Sequence, residues 1–194
     1  HLCARGDPLP PFDFHCPLLD LPRAFGTSIE TVPSSVPYLN ALPPVLERWQ
    51  ARLASLDRPR IGLVWSGNPK HKNDHNRSLP LDLLLTALAG CRASFVSLQK
   101  EPRSEDLARL RAAPGITDLA GEMRDFHDTA AIVSQLDLVL TVDTSMAHLA
   151  GAVGCPTWVF LPYCPDWRWL LEREDSPWYP TMRLWRQEAP GDWT

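Results

Sequence analysis

The 194-residue chain lacks a glycine-rich phosphate fingerprint. Ser66-Gly67-Asn68-Pro69, after its first regular apolar run, is neither G-x-G-x-x-G nor a P-loop. That argues against a nicotinamide dehydrogenase and a P-loop NTPase. Basic charge is not in excess. Nineteen Lys and Arg against twenty-three Asp and Glu leave a formal net charge of −4, so there is no electrostatic case for nucleic acid. No apolar run reaches the roughly 18 residues a transmembrane helix requires, and no signal peptide is visible. No Ser-His-Asp nucleophile elbow, paired-carboxylate site, internal repeat or low-complexity tract stands out. The cysteines, Cys3, Cys16, Cys91, Cys155 and Cys164, are odd in number and form no C-x-x-C pair. Reduced thiols and a cytoplasmic location are the expectation. His71 and His75 are four apart in a segment that does not read as a helix, so no metal is expected there.

Proline is what the chain has in plenty. Twenty prolines are roughly double the usual share of about 5%. Most fall in 8–44, 156–165 and 177–190. Residues 1–57 therefore read as an irregular Pro-rich segment followed by a linker helix over 44–56, with Leu46, Trp49, Leu53 and Leu56 near helical spacing. The chain starts at His1, not Met, and a piece of a longer protein is expected.

From Arg60 onward the pattern is regular. Apolar runs at Ile61–Trp65, Ala93–Leu98, Ile116–Leu119, Leu138–Val142, Thr157–Leu161 and Met182–Trp185 read as strands. Helices are expected from Pro80 with Leu81, Leu84, Leu85 and Leu88 inward, from Ser104 with Leu107 and Leu110, and from Asp128 with Ala131, Ile132 and Leu136. A further helix has Met146, Leu149, Ala150 and Val153 on one face and Gly154 at its stop. Strands alternating with helices predict an α/β fold with a doubly wound, parallel, six-stranded sheet in the order 3-2-1-4-5-6. This Rossmann-like domain should span 58–188, and 189–194 should begin a further helix.

That strand order puts the exits of strands 1 and 4 at the switch point, where open α/β sheets bind ligands. The exit of strand 4 is Asp143-Thr144-Ser145, opening a helix. Free N–H groups and the positive helix end favour phosphate there, and Thr144 and Ser145 add hydroxyls. Asp143 would repel phosphate and suits sugar hydroxyls. At 100° per residue His148 shares a side with Thr144, away from the apolar stripe. The plainer alternative is that Asp143 or Thr144 only caps the helix and that His148 is solvated. The exit of strand 1 carries Lys70, His71, Lys72, His75 and Arg77, a cationic loop suited to clamping a diphosphate or simply to meeting water. Six of the eight tryptophans follow residue 157. Interleaved with Asp166, Arg168, Arg173 and Asp175, they can pack a long loop and hold its charges in local pairs, or offer flat faces to a sugar or base.

VDTSMAHLAGAVGCPTWVFLP at 142–162 resembles the donor motif of glycosyltransferase family 9, the ADP-heptose:lipopolysaccharide heptosyltransferases. RIGLVWSGNP, RSLPL, SLQK and DWRWLLEREDSPWYPTMRLWRQ more closely resemble the glycosyltransferase-like region that follows tetratricopeptide repeats in many bacterial proteins. GDPLPPFDFHCPLLDLP resembles the segment before that region. The resemblance implies the C-terminal, donor-binding half of a GT-B fold that takes a nucleotide diphosphate sugar without a metal or other cofactor. It places Asp143 at the donor sugar, Thr144 and Ser145 at the diphosphate and His148 in the same pocket. Ser66, Asn68 and Arg77 complete the clamp, and loop 121–127 lies near the base. Ser145 stands where the heptosyltransferases carry Gly, and Leu79-Pro80 where they carry W-P. A missing N-terminal half would supply the acceptor site and the catalytic base. Implied partners are the donor, a glycan, lipid or protein acceptor, that missing half and the repeats. A pseudo-transferase serving as a binding module, or another GT-B enzyme such as a sugar epimerase, fits the same residues.

Overall fold

A computed structural model describes residues 2–193 and is built on one six-stranded sheet, every strand of it parallel. The strands are β1 (Arg60–Val64), β2 (Ser94–Ser97), β3 (Ile116–Asp118), β4 (Leu138–Val142), β5 (Thr157–Leu161) and β6 (Met182–Arg186). Their order is β3-β2-β1-β4-β5-β6, as the alternation of elements predicts. The central strands read as continuous apolar runs because both faces are covered. Leu63, Trp65, Phe95, Leu140 and Val142 face one core layer, and Val64, Val96 and Val139 face the other.

The chain divides into two compact units, His1–Pro33 and Ser34–Thr194. The first holds a 3-10 turn at Leu18–Asp20, α1 (Leu21–Ala24) and a second 3-10 turn at Ile29–Thr31, none of which buries a residue. In the second unit α2 (Pro43–Leu53) precedes the sheet. The break between the units falls at Pro33–Ser34, so α2 belongs to the same unit as the sheet. The reason is packing: α2 puts Trp49 and Leu53 into the same core layer as Ile132 of the helix that precedes β4.

The remaining helices are α3 (Asp74–Arg77), α4 (Leu81–Leu88), α5 (Ser104–Ala112), α6 (Phe126–Val133) and α7 (Ser145–Val153). α3 is a single turn inside the loop expected to be irregular throughout. α6 starts before Asp128 because the Asp125 side chain accepts from the N–H groups of His127 and Asp128, both at 3.0 Å. This is an N-cap, which satisfies donors the first helical turn leaves free. The further helix expected from 189 does not form among the described residues. Residues 188–191 make bends and a turn, with Gly191 at φ +80.

Candidate functional site

β1 and β4 are neighbours, and their exit loops meet. β4 ends in Val142, and Thr144 caps α7 by accepting from the Met146 N–H at 3.3 Å. Gly154 closes the helix at φ +81, a left-handed conformation that only glycine takes without cost. The exit of β1 is knitted rather than loose. Gln99, just beyond β2, accepts from the N–H groups of Trp65 and Ser66 at 3.2 and 3.1 Å and donates to the Ser66 carbonyl at 3.0 Å. The far end of the loop returns through Leu79 N–H to the Trp65 carbonyl at 2.8 Å and Gly67 N–H to Ser78 Oγ at 3.2 Å. The two exits are joined by Arg77, whose Nη1 donates to the Asp143 carbonyl at 2.9 Å.

Two clefts open on this junction. The first, about 420 Å³, is bordered by Ser66, Asn68, Gln99 and Lys100, by the apolar Leu98, Met123, Phe126 and Met146, and by loop residues Arg124 and Asp125. The second, about 570 Å³, is bordered by His71, Asn73, Asp143, His148, Asp166 and Arg168. Arg77, Thr144 and Ser145 border both. They form a waist between a mixed, partly apolar chamber and a polar one. At that waist lies the N-terminus of α7, a nine-residue helix whose first N–H groups and dipole favour an anion.

All seven expected site residues therefore border one or both clefts. Ser66 Oγ is buried with no hydrogen-bond partner among the described residues, on the wall of the first cleft. Thr144 both caps the helix and borders the waist, so the cap is compatible with a place on the cleft wall. Asp143 does not cap; it is half-buried and borders the second cleft. The cationic loop contributes less than expected. Lys70, Lys72 and His75 are exposed and border neither cleft. Missed from sequence were Gln99 and Lys100. Lys100 is anchored to the Ala120 carbonyl at 3.0 Å and to the Met123 carbonyl. Their signals are a polar pair directly after a buried strand and their place in the SLQK segment of the resemblance, which assigned them no role.

His148 is not solvated. α7 is buried nearly all round, because the segment between β5 and β6 covers its third side with Trp169 and Tyr179. The imidazole stacks on Trp169 with ring centroids 5.3 Å apart, and Nδ1 lies 3.1 Å from the Tyr179 hydroxyl. The charges of that segment pair locally, Arg168 with Asp166 at 2.6 Å and Arg173 with Asp175 at 2.7 Å. Burial lowers the His148 pKa below the ordinary imidazole value of 6.5; Arg168 adds to this, while Asp143 and Asp166 oppose it. A depressed folded value means that the unfolded chain takes up the proton first as pH falls. His148 should therefore cost stability progressively below pH 6.5. Thermal unfolding across pH 7 to 5 should show a steeper loss for the native chain than for His148→Gln. Parallel profiles would contradict a buried, neutral imidazole.

No three of His, Cys, Asp and Glu converge on a possible metal site among the described residues. The described cysteines are all free, and no described helix is long and apolar enough to cross a membrane.

The model of glycosyltransferase family 9 (heptosyltransferase) matches residues 85–159, which contain β4 and the α7 turn. Protein FlbA of Caulobacter vibrioides is 28% identical over 187 residues, covering 94% of this chain and 31% of that protein. The glycosyl transferase family 9 structure from Veillonella parvula superposes with a TM-score of 0.54 at 14% identity, over 81% of this chain and 45% of that one. E. coli heptosyltransferase WaaC with ADP superposes with a TM-score of 0.51 at 14% identity, over 81% of this chain and 47% of that one. The chain thus shares its fold with glycosyltransferases and spans less than half the length of each of these relatives.

Proposed function

We propose that this chain is the donor-binding half of a family 9-type glycosyltransferase that uses a nucleotide diphosphate sugar. The observation that carries the reading is the waist: two clefts of different character share Arg77, Thr144 and Ser145 at a helix N-terminus. Each cleft falls within the roughly 300–1,000 Å³ usual for small-molecule sites. The nucleoside takes the partly apolar chamber against Leu98, Met123 and Phe126. The diphosphate crosses the waist. The sugar takes the polar chamber, where Asp143 accepts from its hydroxyls.

Transfer is direct displacement. The acceptor oxygen forms a bond to the anomeric carbon as the bond to the diphosphate oxygen breaks, and configuration inverts. The acceptor proton passes to a base outside this chain's site. Charge builds on the leaving diphosphate, and preorganised donors aimed at that charge lower the barrier. Arg77 and the α7 N–H groups supply them, without a metal.

Calorimetric titration with ADP, UDP, GDP, CDP and their sugar conjugates tests this. One base should bind saturably. Asp143→Asn should weaken its sugar conjugate and leave the bare diphosphate bound at least as tightly. Absence of binding by every diphosphate and conjugate at millimolar concentration would overturn the reading.

A further inference from the structure

We infer that Asp74 and Arg103 are a positioning pair that aims Arg77 across the waist, a role that rests on the donor-site reading above. Asp74 is 3% exposed, although it sits in a loop whose other charged residues mostly face water. One carboxylate oxygen accepts from Arg77 Nε at 3.2 Å and the other from Arg103 Nη2 at 2.6 Å. The turn that presents Asp74 is closed by its own backbone. Its N–H donates to the His71 carbonyl at 2.9 Å, and its carbonyl accepts from Ser78 N–H at 3.0 Å. Arg103 comes from elsewhere: it is the N-cap residue of α5, which is anchored in the core through Leu110.

Two consequences follow for Arg77. Its guanidinium is held on two sides, by Asp74 at Nε and by the Asp143 carbonyl at Nη1. A planar fork fixed this way has one orientation, which a lysine would not keep. Its charge also stays available. One carboxylate lies between two guanidiniums, so the triad carries net positive charge. Arg103 borders neither cleft and offsets Asp74, while Arg77 borders both. Gly67 makes the arrangement possible, because a Cβ there would collide with the Arg77 guanidinium and the Asp74 carboxylate.

The test is a double-variant cycle read by calorimetry, using the nucleoside diphosphate of the panel that the native chain binds most tightly, with inorganic pyrophosphate beside it. Asp74→Asn should weaken both by about tenfold, the scale of coupling between residues in one ion-pair network. The Arg77→Ala/Asp74→Asn double variant should bind no more weakly than Arg77→Ala alone, a result that a general loss of structure would not produce. Arg103→Gln changes a partly exposed side chain, and it should show a similar loss even if Asp74→Asn does not fold. Native-like binding by Asp74→Asn or Arg103→Gln, or losses that add in the double variant, would overturn the positioning role alone. A native chain that binds no diphosphate would overturn the donor reading and this role with it.

Discussion

Replacing Arg77 with alanine is expected to weaken binding of the cognate nucleoside diphosphate by roughly ten- to a hundredfold. Hydrogen bonds to charged groups contribute about 1.5–3 kcal/mol, and each 1.4 kcal/mol or so is tenfold in affinity. Arg77 is the cation that borders both clefts, so no neighbour in the loop replaces it. Arg77→Lys should recover only part of the loss, because an ammonium cannot hold Asp74 and the Asp143 carbonyl in one plane while meeting phosphate. Rising salt should narrow the difference between native and Arg77→Ala only modestly, since a partly buried charge is screened less than an exposed one. Equal affinity of native and Arg77→Ala at low salt would remove the waist as a diphosphate site.

Asp128→Ala is expected to destabilise the chain by about 3 kcal/mol, the low end for breaking a buried ion pair. Asp128 is 0% exposed and ties together elements far apart in sequence. It accepts from Arg124 through the backbone N–H at 3.0 Å and Nε at 2.9 Å, from Trp49 Nε1 at 3.2 Å, and from Arg48. Trp49 and Arg48 belong to α2, so this carboxylate fastens α2 onto α6. The low end applies because Arg48 and Arg124 are exposed enough to regain water. For a chain of this size the loss should appear as about a 10 °C fall in Tm. The Arg124 hydrogen bonds above all, with Trp49 and Arg48, hold the Asp128 carboxyl well below the ordinary value of 3.8 against the opposing effect of burial. With the folded value depressed, this stabilisation is complete above pH 3.8 and is lost as pH falls below it. The native and Asp128→Asn stability curves should therefore converge in acid. A gap that stays constant from pH 6 to 2 would contradict the charged form as the source of the effect.

Much of the fold is legible along the chain. Strands buried on both faces leave continuous apolar runs such as Leu138–Val142, and helices covered on one side leave the Leu81, Leu84 and Leu88 stripe. The alternation and the handedness of parallel connections leave few strand orders, and the first of them to be expected is the one observed. The seven residues expected at the switch point all border the two clefts, but how their side chains are held was not legible. The resemblance names Arg77 among the three Lys and Arg residues between 70 and 77, but only the fold shows that its guanidinium reaches the Asp143 carbonyl. The helical wheel put His148 opposite the core stripe correctly. It could not show that the segment between β5 and β6 brings Trp169 and Tyr179 onto that side. The role of Gln99 is hidden for a related reason: a neutral amide carries no pattern of its own, and its value lies in three backbone partners some 33 residues away.

By itself the sequence determined the six strands, the helices α2 and α4 to α7 and the turn at Asp143-Thr144-Ser145, because periodicity, caps and breakers act between near neighbours. Tertiary structure alone decided which charges matter. The Arg77–Asp143 contact spans 66 residues and the Arg48–Asp128 pair spans 80. Such pairs form only where packing has already brought two backbones together and removed the water that would otherwise satisfy them.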